Sequence, residues 1–142
     1  MTNLKGFTRR IQIPGARVLV TGPNDAGKTS ILETVAIGIL GQVPRLGKRG
    51  TMALASGPAM TAGLTVEQDG RELAIDREFR ATEDGGWTES IRIAPSRGER
   101  SKRDGEDRIK KTIGDCATMI DLSGFHALTP GKRMEFLARL IG

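Results

Sequence analysis

Apolar residues near the N-terminus predict a strand followed by a helix. Residues 16–21 form a short run rich in β-branched side chains, which is typical of a buried strand. After a glycine-rich turn, apolar residues recur at helical spacing, so we expect a helix that ends at Gly41. The members of this apolar face are Leu32, Val35, Ala36, Ile39 and Leu40. Before the run, IQIPG predicts another strand, which ends in a turn at Pro14 and Gly15.

Alternation of apolar and polar residues predicts an antiparallel sheet in the middle of the chain. LTVEQ and RELAIDREF are separated by Asp69 and Gly70, a dipeptide that favours a two-residue type I′ turn. Leu73, Ile75 and Phe79 share one parity, although Arg77 interrupts their face. We expect a third strand in WTESIRI, after the turn EDGG.

The remaining segments are more polar. Residues 42–60 are rich in glycine and proline and predict a loop with little regular structure. Residues 95–111 hold seven basic and four acidic residues, which favours a surface loop followed by the start of a helix. The basic segment is either a tip that faces DNA or an ordinary solvated loop. At the C-terminus, Thr129 and Pro130 predict a helix start, followed by an apolar stripe of Met134, Leu137, Leu140 and Ile141.

Composition narrows the classes of protein and of partner. The 142 residues suit one domain or one lobe, and a net charge of +5 permits contact with a polyanion such as DNA. Aromatic residues are scarce, so a base-stacking platform is poorly supported. Cys116 is the only cysteine, which excludes an internal disulfide and favours a reducing, cytoplasmic setting. A nucleoid-associated location is the alternative that goes with a role on DNA. We expect neither a signal peptide nor a membrane span.

The sequence GPNDAGKT matches the phosphate-binding pattern G-x-x-x-x-G-K-[ST] in full, between a predicted strand and a predicted helix. Gly22 and Gly27 let the backbone wrap closely, so that amide N–H groups point at phosphates. Lys28 supplies a point charge for the β- and γ-phosphates, and the Thr29 hydroxyl binds Mg²⁺. The predicted nucleotide-binding residues of the loop are Gly22, Pro23, Asn24, Asp25, Ala26, Gly27, Lys28, Thr29 and Ser30, with Thr29 as the metal ligand.

Hydrolysis needs further groups that the sequence does not clearly provide. A second carboxylate normally steadies Mg²⁺ at the end of a buried strand, and another group positions the attacking water. ATMID, which ends at Asp121, is the nearest match to such a strand, but it is short. His126 is more simply explained as an ordinary surface or packed histidine. The catalytic residues are therefore left unassigned.

The sequence LKGFTRRIQIPGARVLVTGPNDAGKTSILETVAIGILG resembles the N-terminal lobe of the SMC-like ATPases, which include SbcC-, RecF- and OLD-type relatives. DGRELAIDREF is similar to the family's β-hairpin lobe, and FHALTPGKRMEFLARLIG is similar to the segment that precedes its coiled coil. The resemblance implies an α/β P-loop NTPase fold, the N-terminal lobe of an ABC/SMC-type head with an antiparallel β-subdomain. It assigns residues 1–41 to the strand, P-loop and helix, 61–93 to the hairpin region, and 94–142 to a basic loop and C-terminal helix.

The resemblance also implies partners and cofactors. An SMC-like head binds ATP and Mg²⁺, and a C-terminal lobe beyond the coiled coil supplies the signature motif, the Walker B strand and the catalytic glutamate. Two heads then sandwich ATP and act on DNA, in some members with a nuclease. We therefore expect an ATP-binding lobe, truncated or naturally separate, for DNA repair, recombination or DNA-end processing, with little hydrolysis of its own. Arg9 and Arg10 match the family's basic turn, which contacts nucleotide.

Three positions depart from the family pattern or stay open. No glutamine follows Gln68, so Asp121 or Ser123 would have to replace the glutamine that touches Mg²⁺ and water. Asp25 stands where the family often has glycine, and aspartate tolerates a positive φ better than most residues. A second basic loop near the phosphates is expected at Arg45, Lys48 and Arg49.

Two other functions remain open. A non-catalytic nucleotide-binding or regulatory module would share the loop but leave the chemistry to a partner. A small P-loop kinase is disfavoured, because such kinases have mostly parallel strands and the Asp69-Gly70 hairpin predicts antiparallel pairing.

Overall fold

The predicted hairpin forms the centre of the fold. A computed structural model describes residues 1–6, 8, 10–12, 18–68, 70–114 and 128–141. Strands β1 (Ala59–Gln68) and β2 (Arg71–Ala81) are antiparallel, and Gln68 pairs with Arg71 across a two-residue turn. Gly70 has φ 69°, as a type I′ turn requires at its second position. Asp69 lies outside the described residues.

The third strand is also confirmed and completes a sheet of order β1-β2-β3. Strand β3 (Trp87–Ala94) pairs antiparallel with β2, so β2 is the central strand. Alternate residues of β2 are buried, from Leu73 to Phe79, because one face of the sheet packs on helices and the other faces solvent. The N-terminus runs beside β1, where Thr2 and Thr61 exchange two backbone hydrogen bonds of 3.0 Å.

Four helices accompany the sheet in the described part of the chain. They are α1 (Lys28–Leu40), α2 (Gly47–Met52), α3 (Lys102–Ile113) and α4 (Pro130–Ile141). Helix α1 ends where the sequence predicts, because Gly41 adopts φ 74° and its N–H donates to the Ile37 carbonyl at 2.8 Å. Helix α3 starts at a capping box between Ser101 and Asp104.

Two apolar clusters hold α1, α2 and α3 against the same face of the sheet. The first joins α1, β1 and β2 and consists of Leu4, Ile37, Val43, Met60, Ala62 and Phe79. The second joins the sheet to α3 and consists of Leu73, Ile75, Ile93 and Ile109. Gly38 allows α1 to approach β1 closely, since a Cβ at that position would lie 2.4 Å from Cδ1 of Leu64.

The structure corrects the prediction of a buried strand at residues 16–21. Residues 18–21 form no strand with the described residues, and Val18 and Leu19 are 48% and 86% exposed. A strand needs a hydrogen-bonding neighbour, and none of the three described strands pairs with this segment. Residues 11 and 12 of the expected IQIPG strand likewise form no strand, and the rest of that motif lies outside the described residues.

The loop expected at 42–60 is also only partly correct. It contains α2, and β1 begins at Ala59 rather than at Leu64. The Thr51 hydroxyl supports this short helix, because it donates to the Gly47 carbonyl at 2.7 Å and accepts from the Val43 N–H at 2.8 Å. Leu46 and Met52 pack on the first apolar cluster. Tertiary contacts therefore stabilise a helix in this glycine-rich segment, and these contacts cannot be read from the local sequence.

The C-terminal helix begins at Pro130, as predicted. The Arg133 N–H donates to the Thr129 carbonyl at 3.0 Å, so Thr129 directly precedes the first turn. The predicted apolar stripe is not packed along its described length, since Met134 and Leu137 are 67% and 39% exposed. The side chains of Leu140 and Ile141 lie outside the described part.

Candidate nucleotide-binding site

The loop before α1 adopts the backbone conformation that its sequence requires. Gly22, Asp25 and Gly27 have φ values of 149°, 62° and 86°. A positive φ at Asp25 confirms the interpretation that this position needs a residue that tolerates the left-handed region. Asp25 is exposed, which lets its carboxylate remain hydrated. The three positive φ values bend the chain tightly in front of the helix.

Lys28 folds back across this loop. Its ammonium group donates to the Gly22 carbonyl at 2.8 Å and to the Pro23 carbonyl at 2.6 Å. These contacts place the positive charge at the loop itself rather than in bulk solvent. An ammonium has three donors, so one remains for an anion while the two carbonyls are engaged. Lys28 is thus positioned as an electrostatic partner for a phosphate group.

The first turn of α1 adds a second source of positive potential. Gly27 is its N-cap and provides no side-chain cap, and the first turn contains no acidic residue. The orphan N–H groups and the helix dipole therefore favour an anion at this end. Thr29 is exposed in this turn, whereas Ser30 is 3% exposed. Of these two hydroxyl residues, Thr29 is the one that solvent reaches.

A buried carboxylate anchors the same helix one turn further on. Glu33 is 4% exposed and forms ion pairs of 2.8 Å with Lys5 and with Arg45. Because only Glu33 is buried, removing its cationic partners would leave an uncompensated charge inside the fold, so this triad fixes α1 against the N-terminus and the segment after α1. Glu33 cannot be recognised from the sequence, because a single glutamate in a helix gives no pattern that distinguishes it from a surface residue.

The three residues of the expected second basic loop lie at two different places in the structure. Arg45 is engaged by Glu33 on α1, whereas Lys48 and Arg49 border a cavity that Gly41 also lines. Helix α1 has 13 residues and is therefore about 20 Å long, and Gly41 follows its far end. Lys48 and Arg49 therefore border a cavity beside the C-terminal end of α1, and the structure does not bring them together with the loop at its N-terminal end.

Other predicted residues are not brought to this site by the described structure. Arg10 is exposed, and Arg9 lies outside the described residues, as do Asp121, Ser123 and His126. The side chain of Gln68 is not described either, although its backbone ends β1. Within the described ranges, no group of three or more His, Cys, Asp or Glu side chains forms a metal cluster. The site assembled from the described residues is thus a binding loop with no assigned catalytic group.

Comparison with known proteins gives one result that bears on this loop. A family model described as an AAA domain matches residues 8–125, which is most of the chain and includes the loop. Comparison with curated proteins finds no match. Among the helices of the described residues, none has both the length and the hydropathy to cross a bilayer.

Proposed function

The chain belongs to the AAA domain family, and we propose, from the resemblance of residues 4–41 to SMC-like ATPases, that it is the ATP-binding lobe of such an ATPase, with residues 22–30 as its ATP–Mg²⁺ site. The family match directly supports a nucleotide-binding ATPase module. The geometry of Lys28 supports the assignment of the nucleotide site to residues 22–30. Its ammonium is held on two loop carbonyls, at the N-terminal end of a helix that has no acidic residue in its first turn.

Each residue has a defined task in this proposal. Lys28 neutralises the terminal phosphates, the loop N–H groups bind phosphate oxygens, and Thr29 supplies a hydroxyl ligand for Mg²⁺. Bound Mg²⁺ would screen the phosphate charge and orient the terminal phosphoryl group. Ser30, Arg9 and Arg10 are proposed as additional nucleotide contacts.

The binding step is tested by calorimetry with ATP and Mg²⁺. Lys28→Ala should weaken binding at least about tenfold, because a charge-assisted hydrogen bond contributes about 1.5–3 kcal/mol. Lys132→Ala removes an exposed lysine of α4 and serves as the matched control. Thr29→Ala should lose the difference between affinity in Mg²⁺ and affinity in a chelator. Equal affinities for wild type and Lys28→Ala would refute the assignment of the loop.

We further propose that hydrolysis needs a C-terminal lobe of the same head, in cis or as a separate chain. The supporting observation is apolar surface beside the loop, where Val18 and Leu19 precede it and Leu32, 58% exposed, lies on α1. An apolar segment that pairs with none of the described strands suits a strand from a second lobe. The lobe would add the Walker B strand and the catalytic glutamate, two roles to which no residue of this chain is assigned.

Activity measurements separate this proposal from that of a purely regulatory module. ATP hydrolysis should be low for the chain alone and rise when a candidate C-terminal lobe is added. Leu19→Asp should abolish the stimulation while leaving ATP affinity unchanged, and Leu137→Asp on α4 is the control for a second exposed leucine. If the lobe binds without any stimulation, the non-catalytic module becomes the better description.

DNA is the proposed macromolecular substrate, with ATP-dependent pairing of two heads and a nuclease partner as further proposals. The support is a cavity of about 760 Å³ between the hairpin tip and α3, lined among others by Arg71, Arg97 and Lys111. Cations that contact the DNA backbone make affinity fall steeply with salt. A gel-shift signal unchanged between low and moderate salt would contradict backbone contact at this cavity.

A further inference from the structure

A second cavity of about 310 Å³ lies at the far end of α1 from the P-loop. Its walls come from α2, β2, β3 and the first turn of α3, which enclose it beside Gly41. This volume is at the lower end of the range for small-molecule sites, about 300–1,000 Å³. The cavity therefore has room for one small ligand or one terminal unit of a larger one.

Three cations converge on this cavity. Lys48 and Arg49 are consecutive exposed residues of α2, and Lys102 begins α3. Within the described part of the chain, no acidic side chain forms an ion pair with Lys48 or Arg49. Bringing like charges together is unfavourable unless an anion offsets the repulsion. The cluster thus has an unmatched positive charge.

Among the described residues that line the cavity, Glu89 is the single acidic one, and it does not neutralise this charge. One of its oxygens accepts from Arg77 at 2.5 Å, and the other pairs with Lys102. Burial would lower the pKa of the Lys102 ammonium, but its hydrogen bond with Glu89 and the charges of Glu89 and Glu106 raise the pKa overall, so Lys102 stays protonated. With Arg77 counted, two cations already share Glu89, and Lys48 and Arg49 remain in surplus.

An aromatic ring adjoins these cations. Trp87 is the only tryptophan of the chain, and it both packs on the first apolar cluster and lines the cavity. Met52 and Phe79 complete an apolar wall, and Thr88 adds a hydroxyl at the rim. The indole provides a rigid surface for a planar group, and base–aromatic stacking contributes about 1–3 kcal/mol per base. The sparse aromatic content of the sequence gave no reason to expect this arrangement.

We propose that this cavity binds the base and phosphate of a single nucleotide unit, with Trp87 beneath the base and Lys48, Arg49 and Lys102 around the phosphate. The unit is either a free mononucleotide or the terminal nucleotide of a single strand. This inference goes beyond the proposed function, since helix α1 separates the cavity from the P-loop and neither site supplies a residue to the other. The three cations attract the phosphate, and the apolar wall binds a base, so that a nucleotide should bind more tightly than inorganic phosphate.

Trp87 fluorescence tests the proposal directly, because no other tryptophan contributes to the signal. The full chain carrying Lys28→Ala, which removes the P-loop lysine, is titrated with AMP, with inorganic phosphate and with a short oligodeoxyadenylate. N-acetyltryptophanamide in the same titrations corrects for absorption by the nucleotide. We expect saturable quenching by AMP or by the oligonucleotide, and none by inorganic phosphate.

A matched pair of variants tests the cation cluster. Arg49→Ala should weaken binding about tenfold or more, whereas Arg103→Ala, an exposed arginine of α3 outside the cavity lining, should leave it unchanged. Tighter binding of the oligonucleotide than of AMP identifies a strand end, and equal binding identifies a free nucleotide. Absence of quenching by both, or equal loss in the two arginine variants, overturns the proposal. Circular dichroism confirms that each variant is folded.

Discussion

Replacing Arg77 by methionine should destabilise the fold by about 3–5 kcal/mol, the usual cost of breaking a buried charge pair. Arg77 is 1% exposed in the central strand β2, and its guanidinium reaches the C-terminal end of α1. It donates to the Gly38 carbonyl at 2.9 Å, to the Ile39 carbonyl at 3.0 Å, and to Glu89 at 2.5 Å. The residue that interrupts the apolar face in sequence therefore joins three elements in the structure.

The magnitude follows from the groups that lose a partner. Two carbonyls at a helix end would be left inside the fold, each at a cost of about 1–3 kcal/mol. Glu89 is 12% exposed and keeps its contact with Lys102, so its share is smaller than that of an isolated buried carboxylate. Methionine fills most of the arginine volume, which limits the cavity contribution. Two carbonyls at about 1–3 kcal/mol each give about 2–6 kcal/mol, a range that includes the expected loss of about 3–5 kcal/mol.

Urea unfolding followed by Trp87 fluorescence measures this loss, because the transition midpoint and slope give the free energy of unfolding. Arg80→Met is the matched control, since Arg80 lies on the same strand, is 67% exposed, and should change stability by less than about 1 kcal/mol. Combining Arg77→Met with Glu89→Gln should cost less than the sum of the single changes, by about 0.5–3 kcal/mol. A loss below about 0.5 kcal/mol, or strict additivity, would show that the buried network is not a source of stability.

Two further predictions concern packing and pH. Gly38→Ala should lower the free energy of unfolding, because overpacking against Leu64 costs about 1–3 kcal/mol and exceeds the roughly 1 kcal/mol gain in helix propensity. Gly131→Ala on α4 is the control and should be neutral or stabilising, because a Cβ there meets nothing within 4 Å. Equal melting temperatures for the two variants would contradict the close approach of α1 to β1. The backbone N–H groups of Arg97 and Glu99 and the Arg108 side chain lower the pKa of Glu99 from its ordinary 4.5 to about 2. A depressed carboxyl pKa contributes stability above pH 4.5, and this stability is lost as the pH falls towards 2. Glu99→Gln should therefore flatten the dependence of unfolding free energy on pH in that interval. An unchanged slope of that dependence would refute the contribution of this loop.

Features that depend on residues close together in the sequence were predicted more accurately than features that depend on distant ones. The hairpin and the ends of α1 depend on neighbouring residues, since Asp69-Gly70 and Gly41 act within a few positions, and these features were predicted correctly. The segment 18–21 was misjudged because a strand requires a partner that its own residues do not specify. The short helix α2 was missed because Thr51 and its packing, rather than helix propensity, support it.

The candidate sites show the same division. The P-loop could be located from eight consecutive residues, and the positive φ at Asp25 followed from the family pattern. The cavity beside Trp87 could not be located, because α2, β3 and α3 bring its residues together from distant parts of the sequence. Arg77 and Glu33 are likewise explained only by partners on other elements. Buried charges of this kind leave no periodic trace in a sequence.

The alternation of β2 residues between the two faces of the sheet has a consequence for how this chain tolerates insertions and deletions. Residues on β2 alternate between the two faces of the sheet, so gaining one residue within the strand would move Arg77 to the solvent side and bring a neighbour such as Asp76 beneath α1. The connection at residues 82–86 is different, because extra residues there enter an exposed turn and leave both registers intact. Variation in length should therefore accumulate at residues 82–86, while the spacing from Leu73 to Phe79 stays constant.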